Sequence, residues 1–319
     1  MTVTPLTRRR FIAISAAAAA PLLGGATGRG HSTAIWRGIA LGASASIRIE
    51  GRTLDEAAGI LRASIQEIAR LEAIFSLYRR DSELSRLNRD GGLDQPSADL
   101  LALLTTARGV HEVTGGAFDP TIQPLWDLYA RHFRNGPAAQ ATGPSPERLE
   151  QVLLRVGLNN VAASPAVVRF KHRGMAMTLN GIAQGYITDR VSDILQSHGL
   201  SKVLVNLGEI RALGGRMDGQ PWKIGIPREA GAREVGRRID LADRAIATSA
   251  TSGTVFDDQG RFGHIIDPRS GYPAPERRQV SVTAPNAALA DAYSTAFCLL
   301  PQNTCRTIAD AAGFRMIEA

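Results

Sequence analysis

The chain has 319 residues, 37 of them basic and 30 acidic, with 44% hydrophobic and 5% aromatic residues. Four of the basic residues, Arg8, Arg9, Arg10 and Arg29, fall within the first thirty positions, so the remainder carries 33 basic against 30 acidic side chains. An excess that small, with no basic block interleaved with aromatics, argues against nucleic acid as a partner, and the length suits one large domain or two intimate ones.

Residues 1–30 read as an export signal of the twin-arginine kind. Arg8 and Arg9 form the pair, Phe11 opens an uncharged run ending at Leu23, and small residues follow. That run is too short to span a bilayer, so a cleavable signal is expected, with a mature chain of 31–319 in the periplasm.

Residues 31–52 predict a strand, with Ile47 and Ile49 alternating against Arg48 and Glu50. Thr53 and Glu56 then form a capping box for a long helix, whose inner face is Ile60, Leu61, Ile65, Ile68, Leu71 and Phe75. Tyr78 follows the end of this helix, where its ring either stacks on a flat ligand or packs plainly. A second helix is expected over 97–113, with Leu100, Leu101, Leu104 and Val110 inward, and a third starts at Ser145. Between them, 135–144 has the small and polar residues of a loop.

Next comes the segment Thr178 to Tyr186, in which Gly181 and Gly185 bracket the passage from an apolar strand into a helix over 182–197 ended by Gly199. Such a bend exposes backbone N–H groups and a helix N-terminus that favours an anion, so a phosphate-bearing ligand suits it. Tight helix packing is the competing reason for the glycines. Downstream, strands are expected at 167–171, 203–206, 222–226, 246–249, 280–284 and 314–317, with a hairpin across 254–266. Helices and strands do not alternate regularly, which predicts an α+β fold with mixed or antiparallel sheets.

His264 sits where a strand delivers it, before the turn-forming Asp267, Pro268 and Gly271; a histidine so placed can accept a proton from an attacking hydroxyl. Asn286 caps a helix over 287–300, ended by Pro301. On it, Asp291 and Thr295 are four residues apart, so one face carries a carboxylate and a hydroxyl able to reach one hard cation such as Mg²⁺. The alternative is a solvated Asp and a Thr bonded to its own helix. The apolar neighbours Ala288, Leu289, Ala292 and Phe297 imply instead that Asp291 is buried and needs a partner. Cys298 and Cys305, if on one helix, would be about 10 Å apart, beyond disulfide reach, and are expected as buried free thiols.

Taken in order, the blocks 41–43, 75–88, 116–120, 179–189, 205–213, 245–249, 264–271 and 282–295 resemble the ApbE family of FAD:protein FMN transferases over most of the mature chain. With the twin-arginine signal, the wording of 178–189 resembles the NosX-like branch associated with nitrous oxide reductase maturation. The resemblance implies an ApbE-like domain over 31–319 that uses Mg²⁺ to cleave FAD, attaches FMN to a threonine hydroxyl of an acceptor protein and releases AMP. The acceptor it implies is a membrane-bound electron-transfer protein. By position, the resemblance makes Asp291, Thr295 and the Gly181 carbonyl metal ligands and His264 the catalytic base. Leu41, Tyr78, Ala117, Phe118, Asp119 and Ile265 become flavin or adenosine contacts, and Thr178 and Gln184 line the same cofactor site. This chain departs from the family pattern where Thr178 replaces Asp and Gln184 replaces Lys, and around 206–209. The lost positive charge leaves two further readings, an FAD-binding carrier without turnover and an FAD pyrophosphatase.

Overall fold

Gly42, at φ +82°, turns the chain between two antiparallel strands, β1 (Thr33–Ala40) and β2 (Ala43–Glu50). The single strand expected over 31–52 is therefore a hairpin, because a glycine in the left-handed region permits the reversal. The computed structural model describes residues 32–40, 42–134, 142–232, 234–275 and 278–318, so the export signal and most of the loop at 135–144 lie outside the described residues.

After the hairpin come α1 (Leu54–Phe75), α2 (Glu83–Asp90), β3 (Gly92–Asp94), α3 (Ala98–Val113), α4 (Gln123–Phe133), α5 (Pro146–Leu153), β4 (Val161–Ala163) and β5 (Val167–Phe170). The second half holds α6 (Ala183–Ser197), β6 (Val203–Asn206), β7 (Ile210–Leu213), β8 (Trp222–Pro227), β9 (Val235–Leu241), β10 (Ala245–Ala250) and β11 (Gln279–Ala284). It ends in α7 (Ala287–Phe297), α8 (Gln302–Ala312) and β12 (Arg315–Glu318). Seven strands pair in the order β1-β2-β6-β7-β10-β11-β12, every pair antiparallel. The fold is α+β, as the irregular order of elements predicted.

Alternation along each strand decides what covers each face. Val203 and Val205 of β6, and Val280 and Val282 of β11, join the main helical core, while Ala245 and Ala247 of β10 pack with Ala287 and Ala290 of α7. The intervening Ile246, with Ala212 and Ile317, faces the β8–β9 ribbon through Trp222, Ile224, Ile226, Ile239 and Leu241. A third cluster joins α4 and α5 to Phe256 and Phe262, with Tyr129 stacked 5.6 Å from Phe256 and Phe133 4.9 Å from Phe262.

The Thr53–Glu56 capping box closes with both reciprocal bonds. Along α1, however, Ile65 is 38% exposed and Ser64 takes the inner position, bonding back to the Ile60 carbonyl. On α3, Leu103 rather than Leu101 is fully buried. The first is a one-residue error of face, about 100° on a helix, while Leu101 still packs, partly buried, against the core as expected. The hairpin expected over 254–266 reduces to one bridge, Val255 to Gly263. Cys298 caps the C-terminal end of α7 and Cys305 belongs to α8, so the thiols do not share a helix; both are buried and free, and burial pushes the Cys298 thiol up to about 12. Among the described residues, no helix is long and apolar enough to cross a membrane.

Candidate active site

Gly185 has no room for a side chain: a Cβ there would lie 2.2 Å from the Ala287 carbonyl oxygen. That absence lets α6 and α7 approach backbone to backbone, antiparallel, and the contacts recur every four residues on both. Gly181 meets Thr295, since a Cβ at 181 would lie 3.1 Å from Thr295 Oγ1. One turn on, Gly185 N donates to Asp291 Oδ2 at 3.2 Å. At the next turn Asp189 accepts from Ala287 N and Ala288 N, at 2.8 and 2.9 Å. The three expected metal ligands, Gly181, Asp291 and Thr295, thus come from two segments more than a hundred residues apart in sequence to one short contact.

The Thr295 hydroxyl does not bond back to its own helix, which removes the bland alternative for this residue. It lies 3.2 Å from Ser249 Oγ at the end of β10, and Ser249 is 2.7 Å from Ser294 Oγ. Asp291 is 4% exposed, and burial, aided by the Asp189 charge, lifts its carboxyl to about 7 against the single N–H of Gly185. Glu209, next to it, is pushed well above the usual carboxylate range by burial and by Asp291. Among the described residues no cationic side chain offsets either group, so the site is a buried acidic spot that lacks a countercharge there.

Among the described residues, no cluster of three or more His, Cys, Asp or Glu side chains forms a metal cage. The donors present are one carboxylate, hydroxyls and backbone oxygens. Such a set fits Mg²⁺, which keeps several waters and completes its shell with phosphate oxygens rather than with a full protein cage.

The segment leading into the bend, 175–179, forms no regular strand, contrary to expectation. It is fastened by side chains and loops instead. Asn88 exchanges two bonds with the Met177 backbone, at 2.7 and 2.8 Å, and Thr178 N donates to the Pro120 carbonyl at 2.8 Å. Those bonds bring the Tyr78 and Phe118 blocks to the bend. Phe118 is buried with its ring edge against Gly181, Ala117 is buried behind it, and Tyr78 is 64% exposed. Asp119 is occupied internally: Oδ1 accepts from Thr121 N and Oγ1, and Oδ2 from Leu158 N. Its carboxylate shapes this wall. Gln184 packs against Gly208, so the two departures from the family pattern, at 184 and in the 206–209 loop, touch one another. Leu41 lies outside the described residues.

His264 is not on a regular strand. It is held at the Val255–Gly263 bridge, where its ring Nδ1 lies 3.0 Å from the Thr254 carbonyl. Thr254 N also points at Nδ1, at 3.3 Å; in the tautomer that donates from Nδ1 to the nearer carbonyl, Nε2 carries the lone pair. Burial holds the imidazole below its ordinary value, so it is neutral at pH 7, the form a base requires. Gly253, bonded to Ala250 at the end of β10, packs against the ring. The histidine is thus tied through Gly253 to Ala250, the neighbour of Ser249 on β10. Ile265 beside it is buried in the main core.

The sequence model of the ApbE family matches residues 41–317. The chain belongs to the ApbE family. A curated relative, the FAD:protein FMN transferase of Haemophilus influenzae, is 32% identical over 252 residues, covering 75% of this chain and 72% of the relative. That of Treponema pallidum is 30% identical over 279 residues, covering 79% and 76%. Among solved structures, the flavin transferase ApbE from Vibrio cholerae aligns with a TM-score of 0.78 at 26% identity, covering 90% of this chain and 93% of that one. The ApbE protein of Thermotoga maritima aligns with a TM-score of 0.77 at 28% identity, covering 90% and 94%.

Within this ApbE chain, sequence reasoning missed the parts of Asp189, Glu209, Ser249 and Ser294. One signal was present: glycine, glycine and aspartate at 181, 185 and 189 repeat the spacing of 287, 291 and 295. Two such series predict a helix pair in contact along matching turns.

Proposed function

We propose that this chain transfers FMN from FAD to a threonine hydroxyl of an acceptor protein, with Mg²⁺ held by Asp291, Thr295 and the Gly181 carbonyl. The observation that carries the reading is the antiparallel contact that joins these three residues in a buried, uncompensated acidic spot. The reaction is that named for the Haemophilus influenzae and Treponema pallidum relatives. Mg²⁺, when bound, supplies charge neutralisation for a pyrophosphate.

His264 Nε2 takes the proton of the threonine hydroxyl. The hydroxyl oxygen forms a bond to the FMN phosphorus as the bond from that phosphorus to the bridging oxygen breaks, and AMP leaves with its electron pair. Phe118 and Tyr78 border the bend where the flavin or adenine lies. By resemblance, the mature domain is 31–319, exported to the periplasm by the twin-arginine route. The acceptor is a membrane-bound electron-transfer protein serving nitrous oxide reductase maturation.

Incubation with FAD, Mg²⁺ and a threonine-bearing acceptor tests the reading. AMP release together with acceptor fluorescence that survives denaturation is expected. AMP without labelled acceptor would make the chain a pyrophosphatase; bound FAD without AMP would make it a carrier, the reading that Gln184 in place of Lys favours.

His264→Ala should keep FAD binding and slow transfer by about 10²- to 10⁴-fold. In the unaltered chain at saturating Mg²⁺, which keeps Asp291 ionised, the rate should fall with acid only below the 6.5 of a free imidazole, because protonation removes the base and burial resists it. The substitution should erase that acid limb. Weakened FAD binding with an unchanged limb would reject the role.

A further inference from the structure

Two of the three turns of contact between α6 and α7 carry the proposed metal ligands; the third carries none, yet it is the most strongly bonded. Asp189 accepts from Ala287 N at 2.8 Å, from Ala288 N at 2.9 Å and from Arg211 Nη1 of β7. Helix N-terminal N–H groups do need acceptors, and a carboxylate there is favourable. The local need is partly met within α7's own segment, where Asn286 accepts from Leu289 N at 2.9 Å. What Asp189 adds is a fixed tie from one helix to the other, since its oxygens take the two N–H groups next to that cap.

The tie bears on the ligands because of spacing. Asp291 stands one turn from Ala287 and Thr295 two turns, so any slide or rotation of α7 moves both against Gly185 and Gly181. The Gly185 N to Asp291 bond, at 3.2 Å, is the longest of the three backbone donations across this contact. Ser249 steadies the Thr295 hydroxyl but sits at the far end. Arg211 in turn fixes the Asp189 carboxylate to the sheet, between β6 and β10. Both bonds between Asp189 and α7 are buried.

We propose that Asp189, held by Arg211, is a positioning residue for the metal site: it sets the axial register of α7 on α6 and thereby places Asp291 and Thr295 opposite the glycine bend. This rests on the reading of the site given under Proposed function.

The test uses the full chain loaded with FAD. Mg²⁺ is titrated calorimetrically into the unaltered chain, Asp189→Asn, Arg211→Gln and Asp291→Ala, with thermal unfolding measured in parallel. Asn keeps one acceptor but turns an amide N–H toward a backbone N–H, so one bond of the tie is lost. Asp189→Asn is expected to remain folded, to bind FAD without Mg²⁺ as before, and to weaken Mg²⁺ binding by about 10- to 100-fold. Transfer should return at raised Mg²⁺, a recovery that general destabilisation would not give. Arg211→Gln should weaken Mg²⁺ in the same direction by a smaller factor. Folded Asp189→Asn with unaltered Mg²⁺ affinity overturns the proposal; if that variant does not fold, unaltered affinity in Arg211→Gln overturns it. Should Asp291→Ala bind Mg²⁺ like the unaltered chain, the metal site itself is wrong and the positioning role falls with it. Should Asp291→Ala lose the ion while Asp189→Asn keeps it, only the positioning role fails.

Discussion

Asp291→Ala is expected to lower Mg²⁺-dependent transfer by about 10³-fold or more, the scale of losing a group that stabilises developing charge, while the metal-free protein stays as stable as before or becomes more so. The two halves of this result have one cause. Asp291 is a buried carboxylate with one N–H donor and, among the described residues, no cationic partner, and burial aided by the Asp189 charge lifts it to about 7. Such a group costs stability in the absence of a cation, so removing it relieves the fold. In the presence of a cation it is the one charged donor at the Thr295 contact. Chromatographic assay of AMP, with thermal unfolding in chelator, measures both halves. Transfer within tenfold of the unaltered rate would rule Asp291 out as a ligand; a steep loss of metal-free stability would mean that its role is mainly structural.

Gly185→Ala is expected to cost both stability and transfer. Intrinsic propensity runs the other way, since alanine in a helix is favoured over glycine by about 1 kcal/mol. Here the new Cβ would lie 2.2 Å from the Ala287 carbonyl oxygen, 2.5 Å from its carbon and 2.7 Å from Ala288 Cα. All three are backbone atoms and cannot rotate aside. Overpacking of this kind costs about 1 to 3 kcal/mol or more, which outweighs the propensity gain, and the strain separates the helices at the ligand turn. A lowered unfolding temperature together with lost transfer is expected. Gly109→Ala supplies the control: it lies inside α3 with nothing within 4 Å of its Cβ position, so it should leave transfer alone and raise stability by about 0.5 to 1 kcal/mol. An undiminished Gly185→Ala protein would show that the α6–α7 approach is looser than described.

The parts of this molecule that were legible in sequence are those whose signals are local. Thr53 and Glu56 announce α1, Asn286 announces α7, though that helix stops at Phe297 rather than at Pro301, which opens α8, and Asp291 with Thr295 share a face at any standard helical twist. Asp189 and Ser249 were silent because their roles exist only across elements: Asp189 has no meaning until the N-terminus of α7 is placed on it, and Ser249 none until β10 ends beside Thr295. His264 was found but set on the wrong support. The apolar residues around it suggested a strand, whereas Phe256 and Phe262 turn away into the aromatic cluster on α4 and leave one bridge to hold the ring. The helix α4, whose apolar face packs on α5 and on that cluster, is not among the expected helices.

Contacts that return at every fourth residue on both helices leave no slack for insertion or deletion. One extra residue between 181 and 189, or between 287 and 295, would turn everything beyond it by about 100° and bring at least one of the three contacts to the wrong side. For this site to form, the two stretches must therefore keep matching lengths. A chain in which their lengths differ from these could keep the same sheet and still be unable to form this site.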